Sequence, residues 1–336
     1  MKQIKGIYTI RDVAQHHYWD IIFEWENIFS SILKAPLFPI GKKYDRIYRP
    51  SIIRKVLNRV NAYQLFDRFL LDGQNLNIAF HIGPPGTYSF HSRSNVLPII
   101  VDFWKNENLR RLESIFRFSP AVVVTSREVF EYLQESDLQV KIMHLPLSLP
   151  DKYFGINHKR ETHKDIDIIQ LGRRNTTFDE YIDRFLVEFP ATHYVHAVRK
   201  GSRSIMMSNK LGELGQVPKR EQFIGLLLRS KISLVSAPGL DEDRERTGGF
   251  SPVTPRFLES AACACRLIGI YPGNADFDYY GIKEVCPAVT SFGQFRNVAV
   301  EYLSEQKRPD FSTFLEKHLT SKRAIELLNK LTSLND

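Results

Sequence analysis

The chain has 336 residues, a length that suits two ordinary domains better than one. Hydrophobic residues make up 43% of it and charged residues 25%, proportions that exclude a disordered or low-complexity protein. The 46 Lys and Arg outnumber the 38 Asp and Glu, and the net charge of +8 favours an anionic partner such as a nucleotide phosphate or an acidic membrane surface. The basic residues are spread out and no nucleic-acid motif is present, so we expect no nucleic-acid partner.

Targeting and redox features of the sequence predict a cytoplasmic protein. The first residues lack the apolar run of a signal peptide. The longest apolar runs, residues 96–101 and 267–271, fall far short of the ~20 residues that span a bilayer. Only three cysteines occur, and Cys263 and Cys265 lie too close together on one predicted helix to pair well. No disulfide framework is therefore expected, which suits a reducing compartment.

The first 150 residues alternate short apolar runs with helical patterns. Predicted strands cover residues 5–10, 76–82, 96–101, 121–125 and 140–145. Predicted helices cover residues 13–33 and 51–71, and the spacing from Thr125 to Glu128 is that of a capping box at the start of another helix. Strands that alternate with helices predict an α/β fold with a parallel, doubly wound sheet.

A proline-bounded segment at residues 145–151, followed by the polar residues 158–164, marks the predicted domain boundary. Beyond it, predicted strands cover residues 167–171, 193–198, 232–235 and 267–271. Predicted helices begin at Thr177 and cover residues 218–228 and 255–265. We expect one domain over residues 1–150, a second over 151–310, and a helical segment over 311–336.

The helix predicted to begin at Thr254-Pro255 carries the strongest chemical signal. Thr suits the N-cap and Pro suits the first helical position. The free backbone N–H groups at this helix start, with the guanidinium of Arg256, favour an anion. Gly248 and Gly249, just before it, would let the loop approach a ligand closely.

Glu259 lies four residues after Pro255, roughly 6 Å along the helix axis. A carboxylate there could accept hydrogen bonds from the two hydroxyls of a ribose while the diphosphate sits at the helix start. In the alternative interpretation, Glu259 is a solvated residue and Thr-Pro merely starts a helix. The local pattern leaves both open.

Residues 255–268, PRFLESAACACRLI, resemble the donor-binding helix of GT-B glycosyltransferases related to family 4 (group 1) and to the spore-maturation-protein type. In that group the glutamate, here Glu259, is implied to bind the donor's ribose. Residues 168–174, IIQLGRR, resemble a strand whose trailing basic residue, here Arg173 or Arg174, is implied to contact the diphosphate. The resemblance covers roughly residues 76–289.

The resemblance implies two Rossmann-like, doubly wound domains that face each other across a cleft. It also implies a nucleotide-diphosphate sugar as donor substrate, no separate cofactor, no metal, and retention of configuration at the transferred sugar. The residues expected at the donor site are Arg173, Arg174, Ser251, Thr254, Arg256 and Glu259.

Three positions depart from the pattern of that family. Two glutamates separated by seven residues are usual, and the first would fall at Ser251. Ala264 stands where glycine is usual, and Arg266 stands where proline is common. One contact to the donor sugar is therefore missing or replaced.

Two residues are the expected catalytic groups on the acceptor side. Asp102 follows a predicted strand, at the edge where open α/β sheets place functional groups. It would orient or deprotonate an acceptor hydroxyl, or else cap a helix. His81, in a turn with Gly83 and Gly86, would line the cleft where the acceptor enters, and a purely structural turn is the alternative.

Other polar clusters give weaker signals. For His193 and His196, packing within a strand is favoured over catalysis, and no third ligand lies at zinc spacing. Asp241-Glu242-Asp243 could hold a hard cation, but a solvated acidic loop crowded by arginines is favoured. We expect no metal site.

Residues 13–33 carry an aromatic stripe of Tyr18, Trp19, Phe23, Trp25 and Phe29. Core packing is favoured, and docking to lipid or to a lipid-linked acceptor is the alternative, because Trp and Tyr suit an interface. Basic residues follow from Lys34 to Arg59, where a solvated basic face is the simplest account and attraction to anionic lipid is the alternative. The expected function is transfer of a sugar to a glycan or lipid-linked acceptor, in cell-surface polysaccharide or glycoconjugate synthesis, with peripheral contact to the cytoplasmic face of the inner membrane. A non-catalytic nucleotide- or sugar-binding module on the same fold is the alternative.

Overall fold

The computed structural model describes residues 3–12, 14, 19–40, 75–85, 93–159, 163–172, 174–200, 203–241 and 244–332. These residues fold into two compact units. The first comprises Met1–Pro150, Arg246–Phe250 and Thr320–Asp336. The second comprises Asp151–Glu245 and Ser251–Leu319. The helix predicted over residues 51–71 lies outside the described residues.

Both units are built from strands and helices in alternation. The strands are β1 (Gln3–Thr9), β2 (Leu37–Pro39), β3 (Asn75–His81), β4 (Val96–Ile100), β5 (Val122–Val124), β6 (Ile142–His144), β7 (Ile166–Gln170), β8 (Tyr194–Lys200), β9 (Arg203–Ser208), β10 (Gly212–Gln216), β11 (Ser230–Ser236) and β12 (Arg266–Ile270). The helices are α1 (Asp20–Leu33), α2 (Leu109–Phe116), α3 (Arg127–Gln134), α4 (Ile156–Lys159), α5 (Thr176–Glu188), α6 (Arg220–Leu228), α7 (Arg244–Thr247), α8 (Pro255–Ala262), α9 (Ala275–Tyr280), α10 (Phe292–Ser304), α11 (Ser312–Glu316) and α12 (Thr320–Thr332).

The sheet of the first unit has the strand order β2-β1-β3-β4-β5-β6 and pairs in parallel throughout. The chain leaves β1 for β2 on one side and then continues to β3 on the other. The order of the strands therefore reverses between β1 and β3, a topological switch point. Helix α12, from the end of the chain, packs against α1 in this unit.

The sheet of the second unit has the order β10-β9-β8-β7-β11-β12. Its strands β8, β7, β11 and β12 are parallel, and the switch point lies between β7 and β11. The antiparallel hairpin β9–β10 at one edge was not predicted. Its outer strand, β10, is mostly exposed and polar, so it lacks the apolar signal that identifies the central strands. The prediction of a doubly wound α/β fold is confirmed.

The capping signals in the sequence placed the starts of two helices one or two residues away from the observed caps. Ser126, rather than Thr125, caps α3 by accepting a hydrogen bond from the backbone of Val129. Thr125 instead donates its hydroxyl to the carbonyl of Val101 at 2.6 Å. Helix α5 is capped by Asn175, two residues before the predicted Thr177. A polar residue one position later, as at Ser126, or two positions earlier, as at Asn175, is a cap of equal quality, so sequence spacing alone does not choose between them.

Helix α8 begins at Pro255 as predicted but ends at Ala262, so Cys263 and Cys265 do not share one helix. The chain turns at Ala264, whose φ of +51° lies in the left-handed region where glycine is preferred. Cys263, Cys265 and Cys286 are all buried, and none forms a disulfide.

Two aromatics of the stripe on α1 belong to the core. Trp25 and Phe29 are each 2% exposed, and the indole of Trp25 donates to the carbonyl of Ser148 at 3.0 Å. Trp19 and Phe23 are half-buried and stack on each other. Tyr18 lies outside the described residues, as do most of the basic residues that follow the helix. Over the described ranges, no helix has both the length and the apolar character required to cross a bilayer.

Candidate functional site

The carboxyl ends of β7 and β11 meet at the switch point of the second unit, where open α/β sheets bind ligands. Gly172 follows β7 with a φ of +78°. A Cβ at this position would lie 2.5 Å from Nη1 of Arg256. Two features therefore require glycine at position 172: its backbone is left-handed, and a guanidinium lies directly over it.

Arg256 projects from the first turn of α8 to this switch point. Its Nη1 donates to the carbonyl of Leu171 at 2.8 Å. The guanidinium is thereby fixed beside the start of α8, where the helix dipole also favours negative charge. A fixed cation, a helix start and a glycine at the end of a strand together form an anion-binding arrangement.

Glu259 lies one turn further along α8, and it is only 3% exposed. Its Oε1 accepts a hydrogen bond from Nη2 of Arg220 at 2.5 Å. The interpretation of Glu259 as a solvated helix residue is therefore wrong. Sequence reasoning missed Arg220 because 39 residues separate the two partners and no local spacing connects them.

Arg174 lies in the loop between β7 and α5. Its Nε donates to Oδ1 of Asp179 at 2.9 Å, and burial raises the pKa of that carboxyl. Arg174 is 39% exposed at its side chain, which leaves it accessible to a ligand. Arg173 lies outside the described residues.

Ser251 and Thr254 flank the loop that enters α8. Ser251 is 2% exposed, and its carbonyl accepts a hydrogen bond from Nδ2 of Asn274 at 3.0 Å. Thr254 is the N-cap residue of α8, but its hydroxyl makes no capping bond and is buried with no partner among the described residues. Thr254 thus occupies the predicted N-cap position, but its side chain does not make the hydrogen bond expected of a cap.

The two glycines before this loop have positive φ angles, +63° at Gly248 and +94° at Gly249. A Cβ on Gly248 would lie 2.8 Å from Cβ of Lys105. The close packing of Gly248 against Lys105 therefore explains the glycine without a ligand. The expected approach of this loop to a ligand stays a prediction.

His81 and Asp102 lie at the carboxyl ends of the neighbouring parallel strands β3 and β4, where the backbone N–H of Val101 donates to the carbonyl of His81 at 2.8 Å. The ring Nδ1 of His81 donates to the carbonyl of Gly83, and burial lowers the pKa of the imidazole. Burial raises the pKa of Asp102, and the positive charge of Arg246 opposes the change.

The structure therefore brings the two predicted catalytic residues to one edge of the first sheet. Asp102 does not cap a helix, because α2 begins after Asn108. Gly83 has a φ of +75°, and Gly86 lies outside the described residues. A neutral imidazole and a carboxyl group with a raised pKa at neighbouring strand ends are groups suited to proton transfer.

A buried carboxyl group near the same edge was missed from the sequence. Glu26 of α1 is 1% exposed and accepts hydrogen bonds from the hydroxyl of Thr9 at 2.6 Å and from Nε of Arg11 at 3.1 Å. Burial raises its pKa to about 7 despite both donors. No sequence signal could have identified it, because its partners lie 15 and 17 residues away.

The remaining polar candidates are structural. His193 donates from Nδ1 to the carbonyl of Asp165 at 2.8 Å and accepts at Nε2 from Ser208 at 2.9 Å, so it is packed, as predicted. Asp241 accepts from Nδ2 of Asn175 at 3.2 Å, while residues 242 and 243 lie outside the described residues. Nowhere in the described ranges do three or more His, Cys, Asp or Glu side chains converge as a metal site would require.

Comparison with known proteins identifies the fold. No protein-family model and no curated protein sequence matches the chain. AviGT4, a glycosyltransferase involved in avilamycin A biosynthesis, matches with a TM-score of 0.54 and 12% identity over 98% of both chains. The GtfA/B complex matches with a TM-score of 0.49 and 13% identity over 82% of this chain and 61% of that one. This chain thus spans less than two thirds of the length of that protein.

A UDP-GlcNAc 2-epimerase from Methanocaldococcus jannaschii also matches, with a TM-score of 0.48 and 14% identity over 99% of this chain and 100% of that one. The low identity restricts what the match to AviGT4 establishes to the architecture. The two doubly wound units and the similarity to AviGT4 show that this chain has the GT-B fold.

Proposed function

We propose that the chain is a glycosyltransferase that moves a sugar from a nucleotide-diphosphate donor to a glycan or lipid-linked acceptor. The observation that carries the proposal is the guanidinium of Arg256, held over Gly172 at the switch point of the second unit. The fixed positive charge of Arg256 and the positive end of the α8 dipole suit a diphosphate at this position. Glu259, one turn further along α8, suits the ribose of the same nucleotide.

In the proposed reaction, the bond between the anomeric carbon and a diphosphate oxygen breaks, and the nucleoside diphosphate leaves with the bonding electrons. Arg256, assisted by Arg173 or Arg174, stabilises the charge that develops on the leaving group. The new bond forms from an acceptor hydroxyl, whose proton Asp102 accepts or whose position it fixes. His81, neutral because it is buried, orients the same hydroxyl through hydrogen bonding.

The resemblance to family 4 and to the spore-maturation-protein type supports the finer parts of the proposal. These are retention of configuration, independence of metal ions and of any separate cofactor, and a cytoplasmic setting in cell-surface polysaccharide synthesis. The half-buried pair Trp19 and Phe23 and the basic residues after Lys34 support peripheral contact with an anionic membrane.

The donor site is tested by thermal unfolding with UDP, GDP, ADP, dTDP and their sugars. A ligand present at 100 times its Kd stabilises the folded state by about 2.7 kcal/mol, a readily measured shift in Tm. We expect one nucleotide to stabilise the wild type and to lose most of that effect in Glu259→Ala. Glu301→Ala, which removes an exposed glutamate from a helix of the same unit, is the matched control. A folded protein that responds to none of these nucleotides would disprove the donor site.

One observation favours a second function, a nucleotide- or sugar-binding module without turnover. Ser251, where the family pattern has a glutamate, is buried and offers no carboxylate to a donor sugar. The two functions differ in turnover. Release of nucleoside diphosphate from the bound donor, in the presence of acceptor glycans or of water, supports the transferase. Tight binding of the sugar nucleotide with no release supports the binding module.

A further inference from the structure

A buried ion pair joins the first residue of α6 to the middle of α8 in the second unit. Arg220 is the first residue of α6, and its side chain is 12% exposed; Glu259 of α8 is 3% exposed at its side chain. Nη2 of Arg220 donates to Oε1 of Glu259 at 2.5 Å. The guanidinium also lies over the ring of Tyr153, 5.2 Å from its centroid. Arg220 is thus oriented by two contacts of different chemistry.

The pair determines the state in which Glu259 meets a ligand. Arginine remains charged at every physiological pH, so the buried carboxylate of Glu259 faces a permanent cation. A carboxylate held in such an ion pair accepts hydrogen bonds and does not donate them.

The geometry also leaves part of Glu259 available. Among the described residues, Arg220 is the one donor that hydrogen-bonds to this carboxylate. Oε1 is therefore fixed by the guanidinium, and Oε2 remains as an acceptor for a ligand hydroxyl. Such a bond to an ionised acceptor is directional and roughly twice as strong as one between neutral groups.

We propose that Arg220 is the positioning residue that makes Glu259 select ribonucleotides over 2′-deoxyribonucleotides. This inference rests on the proposed function, because it needs a nucleotide at the switch point. Arg220 does not touch the nucleotide itself and acts through the carboxylate. Loss of one hydrogen bond to a charged acceptor predicts a preference of about 10- to 100-fold for the ribonucleotide.

The test is titration calorimetry with the pairs UDP and dUDP, GDP and dGDP, and ADP and dADP. For the base that binds the wild type, we expect the Kd of the deoxy form to exceed that of the ribo form by at least tenfold. In Arg220→Gln we expect the ratio to fall to within about threefold, chiefly by weaker binding of the ribonucleotide. Arg220→Lys, which keeps the charge without the planar fork, should give an intermediate ratio.

Arg229→Gln is the matched control, because Arg229 lies at the opposite end of α6 and pairs with the exposed Asp165. It should leave the ratio unchanged. If Arg220→Gln does not fold, the double variant Arg220→Gln with Glu259→Gln removes both charges and leaves no lone buried ion. Its ratio should match that of Glu259→Gln alone.

The outcomes separate this inference from the proposed function. No binding of any nucleotide to the wild type would disprove the proposed donor site. Binding with no ribonucleotide preference would disprove the inference alone. So would an Arg220→Gln variant that weakens both forms equally, because a merely structural role lowers affinity without changing the ratio.

Discussion

The carboxyl-end edges of the two sheets carry different kinds of charged group. In the first unit they are groups that titrate: Asp102 and Glu26 have raised pKa values, and His81 has a lowered one. In the second unit the candidate site also holds the carboxyl groups of Asp179 and Glu259, but its cations are the guanidinium groups of Arg256 and Arg220, which do not titrate. Both sheets have a switch point, so their topology is alike. The charged groups at the two edges nevertheless differ in kind.

This difference supports the division of roles that the proposed function implies, with the donor held by one unit and the proton handled by the other. A ligand that is an anion at every pH, such as a diphosphate, is best held by charges that are equally permanent. A proton must instead pass to a group whose two protonation states have similar free energy, and burial of a carboxyl group achieves this by destabilising its ionised form. The predictions at Asp102, Glu26 and Arg256 each test one side of the comparison, and a last one tests backbone strain in each unit.

The largest expected effect belongs to Asp102→Asn. Removal of the proposed catalytic base should lower kcat by about 100- to 10,000-fold, whereas donor Kd should stay within about twofold, because the proposed donor site lies in the second unit. Activity of the wild type should fall as the pH drops through the raised pKa of Asp102, and the variant should lack this fall. Steady-state kinetics across pH and calorimetry measure the two effects.

Asp137→Asn, an exposed aspartate of the same unit, controls for Asp102→Asn. A loss of donor affinity equal to the loss of kcat would contradict the division of roles.

Glu26→Gln should change the dependence of stability on pH. The folded state raises the pKa of Glu26 from 4.5 to about 7, so it binds the proton more tightly than the unfolded state does. The resulting stabilisation is present below pH 4.5 and is lost as the pH rises to about 7. Over that window the wild type should lose roughly 3 kcal/mol relative to the variant.

Urea unfolding at pH 4.5, 6 and 8 provides the measurement, with the exposed Glu135→Gln as control. A wild type and a Glu26→Gln variant that change in parallel with pH would show that folding does not raise the pKa of Glu26.

Arg256→Gln should weaken donor binding about 30-fold, which corresponds to about 2 kcal/mol for one charged hydrogen-bond donor. Its pH profile of kcat should match that of the wild type, because no titrating group is removed. Arg296→Gln, which breaks an exposed pair with Glu188 in the same unit, should change neither. A shifted pH profile in Arg256→Gln would mean that the second unit also handles the proton.

The smallest effects are expected at the two non-glycine residues with positive φ among the described residues, Lys34 and Ala264. Lys34→Gly relieves backbone strain at the exposed end of α1 and should stabilise the protein by about 1 kcal/mol. Ala264→Gly relieves similar strain but removes a buried methyl group, so the gain should be about 0.5 kcal/mol or less. Thermal unfolding measures the stability of both variants. A larger gain in stability for Ala264→Gly than for Lys34→Gly would contradict this reasoning.

Local chemistry made part of the structure predictable from sequence. Thr254-Pro255 placed the start of α8 correctly, and apolar runs located the central strands. The hairpin β9–β10 was missed because exposed edge strands lack that apolar signal. Glu259 was identified as a site residue, but its partner Arg220 was not, because tertiary contacts between distant residues leave no mark on local spacing. The Glu26 cluster was missed for the same reason.

The first unit contains pieces from three separate parts of the chain. The segment Arg246–Phe250 contributes Phe250, which is 5% exposed and packs edge-on against Tyr132, and α12 covers α1. The chain therefore passes between the units after Pro150, Glu245, Phe250 and Leu319. In a chimera joined at Pro150, Phe250 and α12 would come from the second parent, although both pack in the core of the first unit, which comes from the first parent. Recombination between relatives should thus succeed only when these two segments are inherited together with the first 150 residues, which limits how freely donor halves can be exchanged during evolution.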